Sequence, residues 1–131
     1  MNETPYSPPE WLTREVSLIG EQAVEILAHT SVLLFGAGGV GGFAAEGLIR
    51  AGIGRLVVVD HDIIAESNLN RQIIADVKNI GLLKADELCR RAESINPAIT
   101  ALPMCIFADD GNISEIIEIK IVKYRGILSN L

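Results

Sequence analysis

The six residues Gly36-Ala37-Gly38-Gly39-Val40-Gly41 are where this chain first offers chemistry. They follow a short apolar run, residues 31–35, and open a small-residue helix expected over 40–51. A glycine turn between strand and helix lets bare backbone approach a phosphate. The helix start adds unpaired N–H groups and partial positive charge. Gly36, Gly38, Gly39 and Gly41 are therefore candidate phosphate-binding positions. Asp60 closes the next apolar run about twenty residues on, where an acid accepts hydrogen bonds from ribose hydroxyls. The pattern points to an adenine nucleotide without separating ATP from NAD or FAD.

The following segment separates them. Asp60-x-Asp62, then Ser67-Asn68-Leu69-Asn70-Arg71-Gln72, then Gly81-Leu82-Leu83-Lys84, is polar and cationic where a dinucleotide fold would simply continue. Over residues 11–114 the chain resembles the ThiF/MoeB/HesA family, prokaryotic relatives of ubiquitin-activating enzymes. The shared pattern is G-x-G-G-x-G, D-x-D, S-N-L-N-R-Q and G-x-x-K, and Arg14 fits that family's N-terminal arginine.

The resemblance implies activation of a carboxylate by adenylation, with ATP and magnesium as cofactors and pyrophosphate released. It implies that Gly36, Gly38, Gly39 and Gly41 line the phosphate turn and that Asp60 holds the ribose. Asn68, Asn70 and Arg71 would face the triphosphate, and Asp62 would order the loop or the metal. Lys84 would neutralise the phosphates as pyrophosphate leaves. Arg14 would enter a partner protomer's site in a homodimer. Arg14, Arg71 and Lys84 are thus the catalytic candidates. A carboxylate attacking the α-phosphorus drives negative charge toward negative charge, so fixed cations stabilise the transition state more than the ground state. A guanidinium plane matches phosphate oxygens, whereas a lysine acts as a mobile point charge.

Within the family, Leu18-Ile19-Gly20-Glu21, Ala51-Gly52-Ile53-Gly54, Asn68 to Ile73 and Ile95-Asn96-Pro97 look most similar to one branch. That branch activates the carboxylate of threonylcarbamoyladenosine in tRNA and cyclises it. The alternative acceptor is the C-terminal glycine of a ubiquitin-like sulfur carrier. An NAD- or FAD-dependent oxidoreductase domain and a non-catalytic nucleotide-binding remnant are the readings outside this chemistry.

These residues need a scaffold that ends a strand, turns, and starts a helix, twice. Apolar residues make up 49% and aromatics only 5% of the 131 residues, so the core is built from Ile, Leu, Val and Ala. That composition suits parallel strands covered by helices. The expected fold is α/β: a Rossmann-like three-layer αβα arrangement with a mostly parallel sheet, apparently truncated. Residues 1–12 read as an extended arm and 13–131 as the N-terminal portion of an adenylating domain. Thr13 is placed as the N-cap of an amphipathic helix interrupted at Gly20. Further elements are expected as strands over 31–35, 55–59 and 99–106, and helices over 82–95 and 113–118. An edge strand is expected over 119–125.

Past residue 114 the family pattern fails. Asp109 and Asp110 precede the place of the family's magnesium acid, and Lys120, Lys123 and Arg125 are wrong for a divalent cation. The expectation is a truncated or frameshifted product, or an excised domain, with any tRNA or sulfur-carrier surface in a missing C-terminal part. The net charge of −6 argues against a broad nucleic-acid field in this portion. His29 and His61 have no partner at metal spacing, so no zinc site is assigned and no residue is named as a metal ligand. Cys89 is expected in a helix and Cys105 in an apolar strand, both near the core. No run reaches the roughly 18 apolar residues of a membrane span, and a cytoplasmic protein without a membrane partner is expected.

Overall fold

The protein is described by a computed structural model that covers residues 4–118. Three parallel strands, β1 (Ser31–Phe35), β2 (Arg55–Val59) and β3 (Thr100–Met104), lie in the order β1-β2-β3. The register sets Leu33 against Val57 and Val57 against Leu102. The expected α/β, Rossmann-like organisation is present, and this order matches one half of a doubly wound sheet. Leu56, Val57, Val58 and Val59 are all buried, so β2 is the central strand, rich in branched side chains that favour a pleated, covered surface.

Among the described residues the sheet is accompanied by α1 (Thr13–Ile19), α2 (Glu21–Ala28), α3 (Gly39–Arg50) and α4 (Lys84–Ile95), besides a helical segment over 113–118. The break between α1 and α2 falls at Gly20, whose φ of 89° is a left-handed value that glycine adopts without a Cβ clash. Thr13 is not the N-cap. A 3-10 turn over Glu10–Leu12 runs straight into α1, and the Thr13 hydroxyl donates to the Glu10 carbonyl at 2.6 Å instead.

The β1–α3–β2 and β2–α4–β3 crossovers run in the same direction across the sheet, so right-handed connections put α3 and α4 on one face. There Ala45, Ile49, Leu88 and Ala92 pack with Leu56 and Val58 into the main core. Glu46, only 9% exposed, fastens the two helices. Arg91 donates to its carboxylate through Nε at 2.6 Å and a terminal nitrogen at 2.8 Å, and Arg50 Nε donates at 2.9 Å.

Two boundaries differ from expectation for local reasons. The helix expected from residue 82 starts at Lys84, because residues 81–83 pair with the chain after β2. Gly81 N–H donates to Ile64 at 2.7 Å, Ile64 N–H donates to Leu82 at 2.8 Å, and Ile63 bridges Leu83. The third strand is shorter than expected, ending at Met104, so Cys105 is exposed rather than near the core. Residues 113–118 are helical as expected, whereas the strand expected over 119–125 lies outside the described residues. At the far end of α4, buried Asn96 donates to the Ile53 carbonyl at 3.0 Å, tying the helix end to the approach to β2.

Candidate functional site

Parallel strands deliver their C-terminal ends to one edge of the sheet, and ligands bind at that edge in such folds. Here the edge is formed by Phe35, Val59 and Met104, followed by the glycine turn, Asp60 and Cys105. Gly36 turns the chain at φ 92°, with its N–H on the Val59 carbonyl at 2.9 Å. A Cβ on Gly41 would lie 1.9 Å from the Gly36 carbonyl oxygen, so α3 can start this close to the strand only with glycine there. A Cβ on Gly39 would meet nothing within 4 Å, and one on Gly38 would touch only the Gln72 amide. Gly36 and Gly41 therefore shape the turn, while Gly38 and Gly39 present its open backbone. The N-cap of α3 is Gly38, without a side-chain cap, which leaves the first-turn N–H groups available to an anion.

Asp60 is joined to this turn. Its Oδ2 accepts the Ala37 N–H and its Oδ1 accepts the Asp62 N–H, each at 2.8 Å. A carboxylate offers about four acceptor positions, so this bracing leaves capacity for hydroxyl donors.

The loop after β2 carries the cations. Asn68 is buried, and its Oδ1 accepts the Ala65 N–H at 2.8 Å, closing a 3-10 turn over Glu66–Asn68. Asn70 and Arg71 are exposed. One Arg71 terminal nitrogen donates to the Ser67 carbonyl at 2.9 Å and to Asn70 Oδ1 at 3.0 Å. Gln72 is buried against Gly38, and Ile73 lies 3.2 Å from where a Cβ on Gly42 would stand. These two contacts dock the Arg71 loop onto the glycine turn and the start of α3. Lys84 opens α4 and is only 7% exposed. Its Nζ is 3.7 Å from Asp62 Oδ2, while its N–H donates to the Asp62 carbonyl at 3.0 Å. His61 approaches the same carboxylate at 3.2 Å and meets Phe107 edge-on, with ring centres 4.9 Å apart. Ligand atoms of Asp60, His61 and Asp62 lie within 4.8 Å of one another.

The structure thus gathers Gly36, Gly38, Gly39, Gly41, Asp60, Asp62, Asn68, Asn70, Arg71 and Lys84 around one end of the sheet. Arg14 does not join them. It follows Leu12, which packs on Gly52 beyond the far end of α3. The twelve residues of α3, about 18 Å at ~1.5 Å per residue, separate that contact from the glycine turn. Gln72, which ends the Ser67–Gln72 motif without having been assigned a role, is the residue the structure adds beside Gly38.

Cys89 is buried on α4, and burial, with Glu93, Asp86 and Cys105 adding to it, pushes its thiol up to about 12. Partial desolvation and the carboxylates of Asp86 and Asp60 also raise Cys105. Neither is a thiolate at neutral pH. Among the described residues no helix is long and apolar enough to cross a membrane.

A model of the ThiF family matches residues 12–129. The tRNA threonylcarbamoyladenosine dehydratase of Escherichia coli is 38% identical over 98 residues, covering 75% of this chain and 37% of that protein. The Bacillus subtilis protein of the same name is 38% identical over 95 residues, covering 72% and 37%. The crystal structure of the E. coli tRNA N6-threonylcarbamoyladenosine dehydratase in complex with ATP superposes with a TM-score of 0.81 at 33% identity. That match covers 87% of this chain and 48% of the other. The chain therefore spans well under half the length of both curated relatives.

Proposed function

The chain belongs to the ThiF family, and from that premise we propose that it forms the ATP-binding half-site of an enzyme that adenylates a carboxylate. ATP lies with its phosphates on the glycine turn and its ribose near Asp60. The acceptor carboxylate attacks the α-phosphorus, forming the acyl-adenylate and breaking the bond to pyrophosphate. Arg71 and Asn70 bind the phosphate oxygens, and Lys84 takes up the charge that builds on the departing pyrophosphate.

The observation that carries this reading is the docking of the Arg71 loop on the glycine turn through Gln72 and Ile73, with Lys84 buried beside Asp62. Two cations in the segment that follows β2, Arg71 and Lys84, suit the larger charge of a triphosphate better than the pyrophosphate of a dinucleotide. Asp62 suits magnesium, which is usually held by one or two carboxylates together with substrate phosphates, and the ion supplies further charge neutralisation. Asn68 acts by shaping the loop, since its side-chain oxygen is committed to Ala65. Arg14, a helix-length from its own turn, reaches the site of a second copy, so the active form is a homodimer.

The acceptor follows the two dehydratases: threonylcarbamoyladenosine in tRNA, activated for cyclisation, with the tRNA-binding surface supplied by sequence beyond the matched region. Calorimetric titration of ATP, AMP and NAD with magnesium tests the core of this reading. ATP binding that weakens in Arg71→Ala is expected, and binding of NAD alone would overturn it. Discharge of the adenylate by modified tRNA, rather than by a sulfur carrier's C-terminal glycine, tests the acceptor.

A further inference from the structure

The end of the sheet opposite the glycine turn holds an open, mostly apolar cavity of about 250 Å³. Gly54, which leads into β2, and Ala98, just ahead of β3, place it at the N-terminal ends of the strands. The segment before α1 crosses that end and walls the cavity with Tyr6, Trp11 and Leu12, together with Ile53. Aromatic residues are only 5% of the chain, yet two of them stand here. Leu12 is buried and packs on Gly52, which anchors this wall, whereas Trp11 stays 41% exposed. The Asn96 amide beside the cavity is already spent, donating to the Ile53 carbonyl at 3.0 Å and accepting the Ala98 N–H at 3.2 Å. The interior therefore suits an apolar body. The rim is acidic, since residues 4–30 carry four glutamates and one arginine. Desolvation, then the charges of Glu25, Glu15 and Glu21, push the Tyr6 phenol up, so all three carboxylates act on that wall. The His29 ring meets Tyr6 edge-on, with ring centres 6.3 Å apart. Oε2 of Glu15 is shielded from solvent with no hydrogen-bond partner among the described residues. A desolvated carboxylate oxygen left unpaired is costly, and an N–H donor on a cation satisfies it.

We propose that this cavity binds a small aryl-alkyl amine, its ring against Tyr6 and Trp11 and its ammonium toward the Glu15 carboxylate. The volume lies just under the ~300 Å³ at which pockets for drug-sized ligands begin, which admits one ring and a short arm. An ammonium beside aromatic faces is attracted by their ring quadrupoles. The surrounding carboxylates add a charge complementarity that a neutral ring of the same shape does not feel. The cavity lies at the opposite end of the sheet from Asp60 and Lys84, so the inference stands independently of the ATP reading.

Trp11 is the sole tryptophan of the chain, so its emission reports occupancy of the cavity directly. Titration with phenethylamine, protonated at pH 7, is expected to shift that emission saturably. The neutral isostere 2-phenylethanol is expected to bind about ten-fold more weakly. Glu15→Gln keeps the shape and removes the unpaired charge. It is expected to leave the unfolding midpoint unchanged or raised and to weaken the amine about five- to ten-fold, with the alcohol unaffected. Trp11→Leu, followed by calorimetry because the reporter is lost, should weaken both ligands. Equal affinity for amine and alcohol would overturn the proposal, as would Trp11 emission that never saturates. Equal weakening of both ligands in Glu15→Gln would place the carboxylate's effect on the fold rather than on the ammonium, and would also overturn it. Whether or not the chain binds ATP, each of these outcomes reads the same way.

Discussion

The backbone N–H of Ala37 donates to Oδ2 of Asp60 at 2.8 Å, across 23 residues of sequence. Asp60 is therefore a bracket for the glycine turn as well as a candidate ribose acceptor, and the same carboxylate holds the Asp62 N–H on its other oxygen. One side chain sets the spacing between the phosphate turn and the loop that carries the cations.

Asp60→Asn tests that double duty. The amide can serve one backbone N–H through its oxygen, but its NH2 group faces the other N–H with no acceptor. A stability loss of about 1–3 kcal/mol is expected from the broken charge-assisted bond, together with weakened ATP binding. Denaturant unfolding and ATP titration measure the two effects. Full retention of both would show that the bracket is dispensable.

The four turn glycines divide into two classes that substitution separates. Gly41→Ala would push a methyl group to 1.9 Å from the Gly36 carbonyl, so the turn or the start of α3 must move, at a cost of about 2–4 kcal/mol. Gly39→Ala meets nothing within 4 Å and sits at the first helical position, where alanine is favoured over glycine by up to about 1 kcal/mol. The expected result is a Gly39→Ala protein as stable as the parent with impaired ATP binding, because the methyl group fills the space that the phosphates need. Equal ATP affinity in Gly39→Ala and the parent would exclude phosphate from that side of the turn.

How much of this was legible in the sequence depends on the range of the interaction. β1, β2 and the glycine turn are local patterns, an apolar run closed by glycine or aspartate, and their boundaries are visible in the residues themselves. The start of α4 was not. Leu82 and Leu83 fit a helical stripe, but their backbone is consumed by pairing with Ile63 and Ile64, a contact set by tertiary folding. The N-cap assigned to Thr13 failed for a related reason, since the preceding 3-10 turn already occupies the helix start. Asp60 directly follows β2, as the apolar run before it predicts, but its bond to Ala37 joins residues far apart in sequence and leaves no trace in spacing. Gln72 carried a motif signal; its contact with Gly38 is visible only in three dimensions.

The two cysteines should differ sharply toward alkylation. Cys89 is buried and its thiol is pushed up to about 12, so at pH 8 about one molecule in ten thousand carries the thiolate. Cys105 is exposed beyond β3 but raised by partial desolvation and by Asp86 and Asp60, so it reacts slowly rather than not at all. Mass spectrometry after iodoacetamide treatment of the native protein should find one modification, on Cys105. Denaturant should release the second. Modification of Cys89 in the folded state would require α4 to leave the sheet.

Stability at low pH should be governed in part by Glu46. Hydrogen bonding from Arg91, with Arg50 assisting, outweighs burial and holds its carboxyl below the ordinary carboxylate range. A carboxyl whose folded value is depressed contributes stability that is complete above its unfolded value, about 4.3, and is lost as the pH falls through the folded value. The parent should therefore hold constant stability from neutrality to about pH 5 with respect to this group, then lose the α3–α4 fastening as acid protonates it. Glu46→Gln should be less stable by about 1–3 kcal/mol at pH 7, since the three charge-assisted bonds from two arginines weaken while both arginines keep access to solvent. The gap between the two proteins should narrow as the pH drops below 4. Chemical denaturation at pH 7, 5 and 3 measures it, and a gap that stays constant over that range would show that the Glu46 charge contributes nothing to holding the helices together.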